Sequence, residues 1–409
     1  MEEYEAFELS NGIRVVHKQV SGSKIAHCAI MLDIGSRDEK EHQQGLAHFW
    51  EHMAFKGTKK RKAFHVINRL ESLGGELNAY TTKEKICFYS TVLDHHLDKS
   101  VELLYDITFN STFPEDQMDM ERQVILEEMS MYKDSPEDAI QDDLDFLIFQ
   151  EHQLGKNILG EEKSVAAFKR RSIEEFIREN LDTSRIVISS VGSYPLKNLK
   201  KIVEKYFKDQ PQVSMSRPRL SPNGFTPVSK IEERDILQSH VGMGRRAFDI
   251  HSNLKAPFFV LNNILGGHSL NSRLNLSLRE KSGLVYNIES NYQAMTDTGV
   301  FSIFYATDPK NVNKSIHLIE REFDKLRTKP LGDKQLQSAK DQIKGQLAMA
   351  EENNQNFMLM MAKSLLDHGR IESIEQVFRK IDEVSKDTIL ELANDMLRVE
   401  DMSVLKFVR

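Results

Sequence analysis

Cysteine is scarce in this chain, and both a basic excess and any long apolar run are missing. Cys28 and Cys87 are the two cysteines among 409 residues. Each sits in an apolar, strand-like stretch, where a free thiol behaves as a small buried hydrophobe and suits a reducing compartment. They form no closely spaced metal pair, so a metal site would have to be built from histidine and carboxylate. With 55 basic against 62 acidic residues the formal net charge is −7. That excludes the broad positive field expected of a protein whose main partner is nucleic acid or anionic lipid. The densest local exception, Lys56 to Lys62, reads as a solvated loop with no ligand. The apolar runs are too short to cross a bilayer. The order Met1-Glu2-Glu3-Tyr4-Glu5 is not the basic-then-apolar order of a secretory signal, so the expected location is the cytoplasm.

What is present is the length and pattern of a globular α+β protein with two domains of roughly 200 residues each. Residues 4–9 and 13–18 alternate around Ser10-Asn11-Gly12 as a hairpin does, and a third strand follows at 25–34. Helical spacing begins near Glu41, gives way to a strand over 77–92, and returns from Leu97 to Phe109. Phe113-Pro114-Glu115-Asp116 opens a helix running to about Tyr132, and a strand covers 185–192. Between Pro211 and Pro227 periodicity vanishes in PQVSMSRPRLSPNGFTP, which marks a linker. The expected domains are therefore 1–212 and 227–409, joined by 213–226. The second half echoes the first, with strand at 239–243, helix at 257–265 and strands over 287–306. Lys99-Ser100-Val101 and Lys314-Ser315-Ile316 stand at matching strand-to-helix joins, which points to a duplicated domain.

One short segment carries chemistry. In His48-Phe49-Trp50-Glu51-His52 the two histidines are one helical turn apart, so His48, Glu51, His52 and Phe55 share a stripe while Leu46, Phe49, Trp50 and Met53 form an apolar one. Two imidazoles at this spacing can chelate zinc, and the carboxylate between them can take a proton from the water that zinc activates. A catalytic zinc needs a third protein ligand. On the helix through Glu121, Val124, Ile125, Glu128 and Tyr132 fall within about 60° of Glu121, and Glu127 about 120° away. Glu128 thus shares an apolar face, where metal ligation would compensate its charge. Glu121 on the same stripe suits an outer partner that orients a ligand or the water.

His48-x-x-Glu51-His52, with Glu128 lying 76 positions after His52 and Glu121 seven before Glu128, resembles the M16 peptidases, the pitrilysin-type inverzincins. The chain is most similar to the mitochondrial processing peptidase and its bacterial two-domain relatives. Gly35-Ser36-Arg37-Asp38-Glu39, Phe55-Lys56-Gly57-Thr58 and Gly74-Gly75-x-x-Asn78-Ala79-Tyr80-Thr81 agree with that family as well. The resemblance implies two duplicated domains of the LuxS/MPP-like fold, each a mostly antiparallel sheet with helices packed on it. It implies one zinc per chain, held by His48, His52 and Glu128, with Glu51 as general base and Glu121 assisting. Asn78 and Ala79 would contact an extended substrate on a sheet edge.

The second half contains no further zinc motif; Asn262, Asn263, Gly266 and Gly267 occupy its matching helix region. It does contain Arg279 and Tyr286, which resemble the family's pair that binds substrate backbone and supports the developing oxyanion. The loop Gly266 to Leu274 departs from the family's small-residue pattern at His268, Leu270 and Asn271. The chain is about half the length of single-chain members such as the insulin-degrading enzyme. The resemblance therefore implies a second subunit: a homodimer, or a heterodimer with an M16 homologue, enclosing a chamber in which Arg279 and Tyr286 of one chain complete the site of the other. The expected activity is that of a zinc metalloendopeptidase acting on peptides or unfolded segments. The alternative is a non-catalytic structural or peptide-binding relative, whose zinc motif would typically be broken.

Overall fold

The computed structural model describes residues 4–215 and 218–409. Alternating apolar residues build the strands of two sheets. The first contains β1 (Glu5–Glu8), β2 (Arg14–Gln19), β3 (Ile25–Leu32), β4 (Glu76–Thr81), β5 (Ile86–Leu93) and β6 (Ile186–Gly192), in the spatial order β1-β2-β6-β3-β5-β4. The second contains β7 (Ser229–Glu233), β8 (Ser239–Ala247), β9 (Val285–Ala294), β10 (Gly299–Thr307) and β11 (Ser403–Val408), in the order β7-β11-β8-β10-β9. Neighbours are antiparallel except β2 with β6 and β7 with β11.

From its parallel pair onward, β2-β6-β3-β5-β4 repeats as β7-β11-β8-β10-β9, with β1 added to the first sheet. The α+β fold of two duplicated domains is therefore present. The Lys-Ser echo lies at equivalent places. Short turns at Asp94–His96 and Pro309–Asn311 feed the helices Leu97–Phe109 and Val312–Thr328, and Ser100 and Ser315 are both buried.

Each sheet is covered on both faces, and this departs from a division at 213–226. In the first sheet, Ala26, Cys28, Ile30 and Leu32 of β3 join one core with Phe49, Trp50, Leu104, Phe176 and Phe207, whereas Ala29 and Met31 point to the other face. There they meet Phe357, Met358, Met361 and Leu365 of the helix Asn354–His368. In the second sheet, Leu405 and Phe407 pack with Ile140, Leu144 and Ile148 of the helix Pro136–Phe149. Close approach there relies on Gly244, whose added Cβ would lie 2.8 Å from the Phe301 carbonyl oxygen and 2.9 Å from Ile148 Cδ1. The first compact unit accordingly includes Met349–Ser373, and the second includes Ser130–Gly155. A sheet apolar on both faces needs a cover on each, and each sheet takes one cover from the opposite half of the sequence.

Two local expectations need correction. Residues 77–92 form β4 and β5 rather than one strand. The turn at 82–85 is closed by the Thr82 hydroxyl, which accepts from the amides of Glu84 and Lys85. Helical structure near Glu41 is only a short turn, Glu41–Gln43, and the α-helix starts at Leu46 after Gly45. Gly45 has φ +93°, and a Cβ there would lie 2.4 Å from the Leu159 carbonyl oxygen, so glycine is required.

Ser216 and Arg217 of the expected linker lie outside the described residues. Among the described ones no helix or strand intervenes between Phe207 and Ser229. Arg219 is nevertheless anchored: it donates to both oxygens of Asp38, at 3.0 and 2.7 Å, and to Asp33 at 2.8 Å. No described helix is long and apolar enough to cross a membrane.

Candidate metal centre

The histidine helix, Leu46–Ala54, is fixed by its apolar stripe. Leu46, Phe49, Trp50 and Met53 are fully buried. Its N-terminus has no cap from its own Gly45. Instead the buried Glu39 carboxyl group, which burial pushes up to about 8 against the opposing bonds from Ala47 and Gly45, accepts from those two amides at 2.7 and 2.9 Å. An acceptor oxygen at this end satisfies amides that lack helical partners and complements the helix dipole. The opposite stripe carries His48, Glu51 and His52, whose two imidazole centroids are 4.5 Å apart.

The glutamate helix, Glu115–Asp134, buries Met118, Glu121, Ile125 and Met129. Val124, expected on the apolar face, is instead 49% exposed. Glu128 comes to the two histidines: its Oε2 lies 3.8 Å from His48 Nε2 and 3.7 Å from His52 Nε2. These separations are too long for hydrogen bonds. They suit donors around a small cation, because tetrahedral bonds of about 2.1 Å place ligand atoms about 3.4 Å apart. Among the described residues this trio is the group of His, Cys, Asp or Glu that can hold a metal, with ligand atoms within 4.8 Å of one another. Burial, and then His52, push the His48 imidazole down to about 3, so it is held in the neutral form that ligates metals. The donor set fits zinc.

Glu51 stands beside the trio with its carboxyl raised above the ordinary carboxylate range. Burial is the main cause, Glu128 adds to it, and the Thr81 hydroxyl and His52 oppose it. The hydroxyl of Thr81, the last residue of β4, donates to Glu51 Oε2 at 2.5 Å. Glu121 receives His52 Nδ1–H on Oε2 at 3.0 Å and the Lys56 ammonium on Oε1 at 2.5 Å. Burial pushes the Glu121 carboxyl up, but the bonds from His52 and Lys56 outweigh it and hold it below its usual range.

Three residues bonded to this site or its helix, Glu39, Lys56 and Thr81, were not singled out from the sequence. Glu39 and Thr81 reach it through loop and sheet geometry. Lys56 is four after His52, so helical phase carried a signal, but the run Lys56 to Lys62 reads as solvated. The structure corrects that reading at two positions: Lys56 pairs with Glu121, and Arg61 with Glu102 and Asp106.

Asn78 and Ala79 lie on β4, an edge of the first sheet, and Asn78 is exposed. Arg279 belongs to the segment Asn275–Glu280 of the second unit, with its guanidinium carbon 5.6 Å from the centroid of the Tyr286 ring. Tyr286 is 86% exposed. His268 is also exposed, 3.8 Å from Glu289. In the second unit the helix Lys255–Gly266 follows β8 as the histidine helix follows β3, and it carries no metal-binding group among the described residues. Its Asn262 donates instead to the Ser290 carbonyl of β9.

Comparison with known proteins places this geometry in a family. Residues 14–162 match the family described as Insulinase (Peptidase family M16), and residues 167–343 match the Peptidase M16 inactive domain. An uncharacterized zinc protease of Mycobacterium leprae is 30% identical over 395 residues, covering 95% of this chain and 88% of the relative. The uncharacterized zinc protease YmxG of Bacillus subtilis is 28% identical over 393 residues, covering 95% of each. Among solved structures, a protease from Helicobacter pylori superposes with a TM-score of 0.91 at 19% identity, covering all of both chains. A structure from Pseudomonas fluorescens described as a peptidase M16 inactive domain gives the same TM-score at 18% identity, covering 99% of this chain and 98% of that one. From the His-x-x-Glu-His helix to the duplicated sheets, the chain belongs to peptidase family M16.

Proposed function

We propose that this protein is a zinc metalloendopeptidase that hydrolyses extended peptides or unfolded polypeptide segments, with one zinc per chain held by His48, His52 and Glu128. The observation that carries this reading is the convergence of those three donors beside a Glu51 carboxyl that burial pushes upward. Bound there, zinc would supply Lewis acidity to a water and to the scissile carbonyl. Glu51, aimed by Thr81, takes the proton of the attacking water and returns it to the leaving amine. Glu121 accepts the Nδ1–H of His52, which leaves Nε2 as the ligating nitrogen. The outer edge of β4, with Asn78 and Ala79, offers backbone groups to an extended substrate, a mode that tolerates varied side chains.

The decisive test is peptide cleavage by the zinc-loaded protein and by Glu51→Gln. The substitution keeps the shape and removes the base, so kcat should fall by about 10²-fold or more. Equal activity in both would sink the mechanism. No activity in either, with zinc bound, would favour the non-catalytic reading, which the match of residues 167–343 to an inactive domain leaves open.

The same proposal makes the working unit a homodimer, or a heterodimer with an M16 homologue, enclosing a chamber in the cytoplasm. Arg279 and Tyr286 of one chain would donate hydrogen bonds to the substrate carbonyl in the site of the other. Their pairing with each other and the exposure of Tyr286 suit such a role. Mixing Glu51→Gln chains with Arg279→Ala/Tyr286→Ala chains should restore activity through hybrid dimers. Absence of recovery despite subunit exchange would refute the trans arrangement.

A further inference from the structure

The histidine helix does not end its contribution at His52. One turn later Lys56 follows the helix C-cap, with its amide bonded to the Met53 carbonyl, so His52 and Lys56 stand one above the other. Both reach the same carboxylate. Glu121, with a side chain only 8% exposed, has one partner on each oxygen: His52 Nδ1 at 3.0 Å on Oε2 and Lys56 Nζ at 2.5 Å on Oε1. A carboxylate held at one oxygen alone can rotate about its last torsion. Held at both, it presents a fixed acceptor to the imidazole.

We propose that Lys56 is a positioning residue for the metal ligand His52, acting through Glu121, in the zinc site proposed above. By anchoring Oε1, Lys56 keeps Oε2 on the Nδ1–H of His52. The ring is thereby locked with Nε2 toward Glu128, the orientation that the 3.7 Å separation records. Lys56 also balances charge. Glu51, Glu121 and Glu128 bring three negative charges to the centre and a zinc ion two positive ones; the ammonium supplies the third. Outer partners of metal-bound histidines are commonly worth 10- to 100-fold in metal affinity. A lysine that served only to tie two helices together would change folding stability and leave metal affinity alone.

The test is equilibrium competition for Zn²⁺ against a chelating dye, using the full chain as wild type, Lys56→Met, Glu121→Gln and the double variant. Thermal melts of the metal-free forms are recorded in parallel. Lys56→Met should weaken zinc binding about tenfold, and Lys56→Arg should stay close to wild type. In the Glu121→Gln background Lys56→Met should have no further effect, because the relay is already cut. Unchanged affinity in Lys56→Met, or an equal loss with and without Glu121, overturns the proposal while the zinc site itself survives. If Lys56→Met melts too early to be titrated, Lys56→Leu, which likewise has neither donor nor charge, is read against the same criteria. A wild-type chain that binds no Zn²⁺ overturns the reading of the site, and this proposal with it.

Discussion

Glu39 has no part in the chemistry, yet the structure makes removal of its carboxyl group expensive for the helix that carries the metal site. Its two oxygens satisfy the amides of Gly45 and Ala47, and the residue is 3% exposed, so water cannot replace them in Glu39→Ala. Loss of an ordinary helix cap costs about 0.5–2 kcal/mol, and each buried donor left unsatisfied costs about 1–3 kcal/mol. With two amides orphaned, Glu39→Ala should destabilise the first unit by about 3 kcal/mol. Glu39→Gln should fall between, because its carbonyl can accept one amide while its NH2 group faces the other.

The assay is built into the chain. Trp50 is the single tryptophan, fully buried on the same helix, so its emission reports unfolding of the first unit alone. Urea titration of metal-free protein, so that altered zinc binding does not contribute, should shift the Trp50 midpoint down by about 1 M for a slope of about 2–3 kcal/mol/M. A shift below about 0.3 M for Glu39→Ala would refute the capping argument.

Two further outcomes follow from packing and charge. Burial pushes the Asp33 carboxyl up, but Arg219, Arg185 and Lys85 together hold it below its usual range. Its folded pKa being depressed, its contribution is present above about pH 4 and is lost as pH falls through the folded value. The stability gap between wild type and Asp33→Asn should therefore be widest near neutrality and narrow as pH falls below about 4; a pH-independent gap in Trp50-monitored unfolding would contradict this. Gly244→Ala drives a Cβ to 2.8 Å from the Phe301 carbonyl and 2.9 Å from Ile148 Cδ1. It should destabilise the second unit by about 1–3 kcal/mol while leaving the Trp50 transition in place, and an unchanged calorimetric trace would refute it.

The sequence by itself determined what depends on local spacing. A period of 3.6 put His48, Glu51 and His52 on one stripe and Leu46, Phe49, Trp50 and Met53 on the other. The same period put Glu121 and Glu128 on one side of their helix. A period of two marked most strands, and the loss of periodicity after Pro211 marked the stretch without elements. Residues 77–92 form two strands because the polar run Thr81 to Lys85 interrupts the apolar pattern, a break legible in the sequence, and Thr82 closes the turn by accepting its neighbours' amides. Its helix face and the family resemblance already put Glu128 beside the two histidines, but only the tertiary structure decided that Lys56 meets Glu121, Thr81 meets Glu51, and Glu39 lies under the helix N-terminus. It also decided that each sheet is covered by a helix from the other half of the chain. Periodicity records which way a side chain faces along its own element. Which partner waits on that side is set by the packing of whole elements, through contacts between residues far apart in the chain.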